Sequence, residues 1–158
     1  MTRGDADRAA AEGSTKGQMT REEIVAFFER RQDALDNLDA ARIAADYADT
    51  CVVESPMAGT HQGRAAVERV YRAVFDAFLD HTVRTETLVV DGNRVAQVVT
   101  LEGTDVGGFM GLPPTGKAFR VPAVFLFELE DHQIVRERRI YDFTGLLVQI
   151  GVLKAKPV

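Results

Sequence analysis

Apolar positions recur at helical spacing along the first half of the chain and then change to alternation. Ile24, Phe27, Phe28, Arg31, Leu35 and Leu38 form one stripe, broken only by Arg31, whose long stem can lie along apolar neighbours. Thr20 followed by Glu23 fits a capping box, in which each side chain satisfies a free backbone N–H at the helix start. A first helix is therefore predicted from about Arg21 to Asn37. Asp39 can cap a second helix running through Ala48, with Ile43, Ala44 and Tyr47 on one face. The β-branched run Thr50 to Glu54 predicts a short strand that Pro56 and Gly59 end. From Arg64, the positions Val67, Val70, Tyr71, Val74, Phe75 and Phe78 predict a strongly amphipathic third helix.

After Asp80 the period becomes two. His81 to Val90 and Arg94 to Thr104 read as a hairpin joined by Asp91-Gly92-Asn93, residues that tolerate a positive φ. The Gly/Pro segment Val106 to Gly116 leads into a long strand, Lys117 to Glu130. Asp131 and His132 turn it into a last strand, Ile134 to Phe143, before a short apolar helix or turn at Gly145 to Gly151. Helices followed by an antiparallel meander mean an α+β fold. In the long strand Val121, Ala123, Phe125 and Phe127 share one face, while Pro122, Val124 and Leu126 share the other. Both faces are apolar, so one needs helices and the other a second surface or a lined cavity.

Composition narrows the class. Of 158 residues, 19 are Lys or Arg and 24 are Asp or Glu, a net charge of −5, which is ordinary for one globular domain and lacks the basic footprint of a nucleic-acid binder. Residues 1–18 are small, charged and aperiodic, and read as a flexible tail ahead of a single domain over 19–158. The one cysteine, Cys51, cannot form an internal disulfide, so the cytoplasm is the default compartment. No apolar run approaches the roughly 18 to 20 residues of a membrane helix. His61, His81 and His132 are dispersed and do not predict a metal site.

Four stretches carry a resemblance. They are Tyr47-Ala48-Asp49 leading to Glu54-Ser55-Pro56 and Gly63; Glu102-Gly103-Thr104 with Gly107, Phe109 and Gly111; Pro113-Pro114-Thr115-Gly116-Lys117; and Tyr141-Asp142-Phe143 followed by Gly145-Leu146-Leu147 and Gln149-Ile150-Gly151. Over some two thirds of its length, from about Asp46 to Gly151, the chain resembles the SnoaL-like polyketide cyclases. These lie within the superfamily of nuclear transport factor two, ketosteroid isomerase and limonene epoxide hydrolase. The resemblance implies a cone-shaped, curved antiparallel sheet wrapped with three N-terminal helices around an apolar pocket, and often a sheet-to-sheet homodimer. Arg84, Glu86, Arg136 and Arg139 among apolar strand positions fit a partly polar dimer face.

The family position of the general acid/base falls on Asp142, where an apolar strand environment would raise a carboxyl's basicity. The alternative for Asp142 is a strand-end aspartate capping the Gly145 turn. Tyr47 is the candidate oxyanion donor. Ser55, Phe109, Pro122, Val124, Leu126, Arg138 and Ile140 are the candidate pocket residues, with Arg138 meeting an anionic group at the mouth or simply solvated within Arg136-Glu137-Arg138-Arg139. Ser55 stands where ketosteroid isomerases carry their catalytic aspartate, which disfavours that route. Asp105 is either a second carboxylate at the mouth or a turn residue. Gly107, Gly108 and Gly111 would shape a flap over the pocket. The implied activity is cofactor-independent proton transfer beside a carbonyl of an apolar small molecule, without metal. The alternatives are a non-catalytic binding domain of the same fold, or an epoxide hydrolase-like enzyme with an incomplete triad.

Overall fold

The computed structural model describes residues 17–156. Along them run α1 (Arg21–Asp36), α2 (Ala40–Ala45), β1 (Tyr47–Ser55), β2 (Gly59–Gln62), α3 (Arg64–Ala77), β3 (Thr82–Asp91), β4 (Arg94–Thr104), β5 (Ala118–Glu130), β6 (Gln133–Tyr141) and α4 (Phe143–Gln149). The tail expected over residues 1–18 lies outside the described residues except for Gly17 and Gln18. Gly17 is docked: its carbonyl accepts from the Asp131 N–H at 3.2 Å.

The strands form one curved, unclosed sheet in the order β2-β1-β6-β5-β4-β3. β3 to β6 make the expected antiparallel meander, whereas β1 joins β6 in parallel, so the sheet is mixed. β2 was not foreshadowed: Gly59-Thr60-His61-Gln62 has no apolar alternation, and its pairing follows from the tight turn after Ser55, which sets Ser55 opposite Gly59. The predicted second helix is shorter than its pattern implied. Asp46 caps it with backbone bonds to Ile43 and Ala44, and the chain extends at once. Tyr47 is therefore the first residue of β1, not a helix residue.

The capping box at Thr20 and Glu23 is formed in both directions. Helices α1, α2 and α3 cover one face of the sheet, and α4 packs against β5 at its far end. On β5, Phe119, Val121, Ala123, Phe125, Phe127 and Leu129 are all buried beneath them. Arg120, Pro122, Leu126 and Glu130 are exposed on the outer face. An extra residue in β6, Val135, opposite the Glu128–Leu129 step shifts the register, so that Glu137, Arg139 and Tyr141 turn inward and Arg136, Arg138 and Ile140 outward.

Candidate functional site

The inner face of the meander, α3, α4 and the segment joining β4 to β5 line a partly open cavity of about 60 Å³. Its walls are Phe78, Phe109, Phe119, Phe125 and Phe143 with aliphatic neighbours; its polar surface comes from Tyr71, His81, Arg139 and Tyr141. His81 follows the end of α3, and its ring stacks loosely on Phe75, Phe78 and Phe119 at 6.0 to 6.4 Å. The carbonyl of Glu102 lies 2.8 Å from His81 Nδ1. A carbonyl only accepts, so Nδ1 carries the proton and Nε2 is left as a lone-pair acceptor. Burial lowers the His81 pKa below its ordinary 6.5, with Arg139 adding to the effect and the Glu102 bond and Asp80 opposing it. The imidazole is thus neutral at pH 7.

Behind the cavity lies a buried polar cluster. Arg31, at 2% exposure, donates to the Ile43 carbonyl and Asp46 Oδ2 at 3.2 Å, to the Tyr47 hydroxyl at 2.7 Å and to the Tyr71 hydroxyl at 3.1 Å. Tyr47 in turn donates to Glu137 Oε2. Arg139 grips Glu137 through Nε at 2.7 Å and Nη2 at 3.2 Å, and Nη2 also reaches the Tyr71 hydroxyl at 3.0 Å. Burial alone would raise the Glu137 pKa; Arg139, Arg31 and the Tyr47 bond outweigh it and hold the carboxyl below its ordinary value. Burial likewise opposes the charge on Arg139, and Glu137 with the tyrosines overcomes it. Both stay ionised. Tyr47 has its pKa pushed well up, chiefly by burial.

The sequence-derived candidates divide between the two faces. Phe109 is in the cavity wall. Ser55 is buried beside it, its Oγ 3.5 Å from the Tyr141 hydroxyl. Tyr47 is fully buried with its hydroxyl committed to Arg31 and Glu137, so it belongs to the supporting cluster, not to the cavity surface. Pro122, Val124, Leu126, Arg138 and Ile140 point to the opposite, outer face, because the Val135 bulge and the pleat set the inward parity on the other residues. Asp142 is exposed, does not line the cavity, and accepts the Gly145 N–H at 2.8 Å as the N-cap of α4. Its capping role is the one observed. Arg139, expected on the dimer face, lies inside.

Asp105 is a turn residue, and a fully buried one. Its carboxylate accepts from the N–H groups of Gly108 and Thr115 and from the Thr115 hydroxyl, at 3.0 to 3.2 Å, which cinches the β4–β5 segment at its base. The N–H groups of Val106 and Gly107 both donate to the Ala77 carbonyl, docking the segment on the end of α3. A Cβ at Gly107 would lie 1.9 Å from the Asp76 carbonyl oxygen, so only glycine permits that approach. Gly108 adopts φ +85° to bring Phe109 back over the cavity, 5.0 Å from Phe78 and 6.3 Å from Phe143. The flap expected from the glycines is this segment.

His81, Tyr71, Glu137 and Arg139 escaped the sequence reading. Glu137 and Arg139 sat within a run of charges that resembles a solvated face, and no local spacing ties His81 to Tyr71. The one available signal was Arg31, a cation inside an otherwise apolar stripe.

Among the described residues no helix is long and apolar enough to cross a membrane, and no group of three or more His, Cys, Asp or Glu side chains is placed to hold a metal ion. The sequence pattern of the SnoaL-like polyketide cyclases matches residues 26–150. A nogalonic acid methyl ester cyclase from Streptomyces nogalater is 30% identical over 129 residues, 81% of this chain and 91% of that protein. Among solved structures, TsrD from Streptomyces laurentii superposes with a TM-score of 0.75 at 22% identity, over 85% of this chain and 99% of that one. AclR from Streptomyces galilaeus gives 0.76 at 23% identity, over 87% of each chain.

Proposed function

The chain belongs to the SnoaL-like polyketide cyclase family, and from that membership we propose that it closes a ring in an apolar, carbonyl-rich small molecule with His81 as the general base. The observation that carries this assignment is the Nδ1 bond to the Glu102 carbonyl, which presents a neutral Nε2 lone pair on a ring lining the cavity. Nε2 takes a proton from a carbon beside a carbonyl, and the C–H electron pair becomes an enolate. The enolate carbon attacks a second carbonyl of the same molecule, forming the C–C bond. The alkoxide then recovers the proton from the imidazolium. No atom is gained or lost, so the product has the mass of the substrate. A positioned base supplies about 10²–10⁴ of rate, and phenylalanine walls that exclude water keep the enolate from premature protonation.

The cavity constrains entry. A benzene-sized guest needs about 150 Å³, against about 60 Å³ here, so a ring-bearing substrate must displace part of the wall. Phe109 is the wall residue carried on a glycine-rich segment. Asp142 supports no equivalent chemistry from its exposed capping position.

Nogalonic acid methyl ester, the compound in the relative's name, is the first substrate to try. The isomeric product is followed by chromatography and mass. His81→Gln should lower kcat by about 10²–10⁴, and Asp142→Asn should change it by no more than about twofold. Normal turnover by His81→Gln, or a comparable collapse in Asp142→Asn alone, returns the base to Asp142. A wild-type chain that binds such esters without converting them is a binding domain.

A further inference from the structure

We propose that Arg139 and Tyr71 form an anion subsite in the cavity wall, which takes a ligand oxygen that is already ionised: a carboxylate, an enolate or a phenolate. Arg139 commits Nε and Nη2 to Glu137 and Tyr71, while Nη1 has no hydrogen-bond partner among the described residues. Among those residues only His61 Nε2 is a buried side-chain polar atom sealed off without a partner. Nη1 therefore keeps accessible surface, and Arg139 is one of the residues that line the cavity. The Tyr71 hydroxyl accepts from both Arg31 and Arg139, so both guanidinium groups meet on its lone pairs. Its own proton has no acceptor among the described residues and is available to a ligand. Donors from a guanidinium and a phenol thus converge on one wall, opposite in character to the acceptor that His81 contributes.

Local charge does not oppose that occupant: the buried guanidinium groups of Arg31 and Arg139 balance two carboxylates, Asp46 and Glu137, while the other arginine on Asp46, Arg30, is 61% exposed. Burying an unpaired anion in an apolar cavity is costly, and a charge-assisted pair on a preset guanidinium removes most of that cost. The preset is mechanical: Glu137 holds two nitrogens of Arg139 in a fork, and Tyr47 and Arg31 hold Glu137 and Tyr71 from behind. This subsite shares the cavity with the proposed reaction, but does not depend on His81 being a base.

Acetate and acetamide have nearly the same shape, differ by one charge and are small enough for a cavity of about 60 Å³. Each is titrated into the full-length protein at pH 7.5, with the ring resonances of His81 and Tyr71 followed by NMR. Acetate should saturate those shifts at a concentration at least tenfold below acetamide. Tyr71→Phe, which keeps the ring and the Arg139–Glu137 pair, should weaken acetate by about three- to tenfold and leave acetamide unchanged. His81→Gln should keep the acetate preference even if it abolishes turnover, which separates the subsite from the catalytic assignment. Equal binding of the two probes, no response of the cavity rings, or an acetate affinity indifferent to Tyr71→Phe overturns the proposal.

Discussion

Two ionisable residues, the half-buried His81 and the buried Glu137, set how the protein responds to acid. His81 is half-buried as the neutral imidazole, with its pKa held below 6.5. Above about pH 6.5 it is neutral folded and unfolded alike and has no effect; as pH falls from there through the lowered folded value, the unfolded chain binds the proton first and stability declines. Glu137 has its pKa lowered from 4.5. The stability it contributes is present above pH 4.5 and is lost as pH falls through the lowered value. The expected urea midpoint is thus level above about pH 6.5, falls gently below it, and falls again below about pH 4.5. His61, also lowered by burial with Arg139 and Arg69 adding to it, contributes to the first decline. His81→Gln should flatten most of that first decline and leave the second untouched. Unchanged midpoints between pH 7.5 and 5 in the wild type would contradict a neutral imidazole packed against the cavity.

At the scale of the element, the flap and the inward faces of β5 and β6 decide what the cavity can hold. Gly107→Ala places a methyl against the backbone of Asp76, which the chain can relieve only by lifting the segment off α3. Overpacking of this kind costs typically about 1–3 kcal/mol. Amide exchange at residues 106–112 should rise well beyond any change at β5, and a flap as protected as in the wild type would sink this account of its docking. Much of this level was legible in the sequence. The capping box, the hairpin at Asp91-Gly92-Asn93, the long two-faced strand and the glycine flap all follow from local chemistry. What failed was parity. Val121, Ala123 and Phe125 are as apolar as Pro122, Val124 and Leu126, so alternation on β5 could not say which face looked inward. The bulge at Val135 then carried Glu137 and Arg139 inside, against the look of a charged surface run. Single hydrogen bonds in the cluster of Arg31, Tyr47, Tyr71 and Glu137 join residues up to 90 positions apart, a separation no local pattern encodes.

At the scale of the whole molecule, α1 to α3 leave the outer face of the sheet open. Helices α1 to α3 lie on the inner face, while Val89, Leu126 and Ile140 on the outer one are 40 to 54% exposed. An open groove of about 580 Å³ crosses it, lined by Leu126 and Val89 with Glu54, Glu128, Arg94 and Arg138 around them. Acids and bases border the same apolar strip, so a two-fold axis on this face would bring carboxylates of one copy towards guanidinium groups of the other. A homodimer on this face is the expected assembly. Sedimentation at micromolar concentration should give about twice the 17.4 kDa chain mass. Leu126→Lys should shift the equilibrium to monomer with little effect on the fold, because Leu126 is 40% exposed and its neighbours in the core, Phe125 and Phe127, are untouched. High salt should loosen the dimer in the same direction if the charged rim contributes. A wild-type chain that sediments as a monomer, or a Leu126→Lys variant that stays dimeric, would mean that this face is left to solvent or to a different partner.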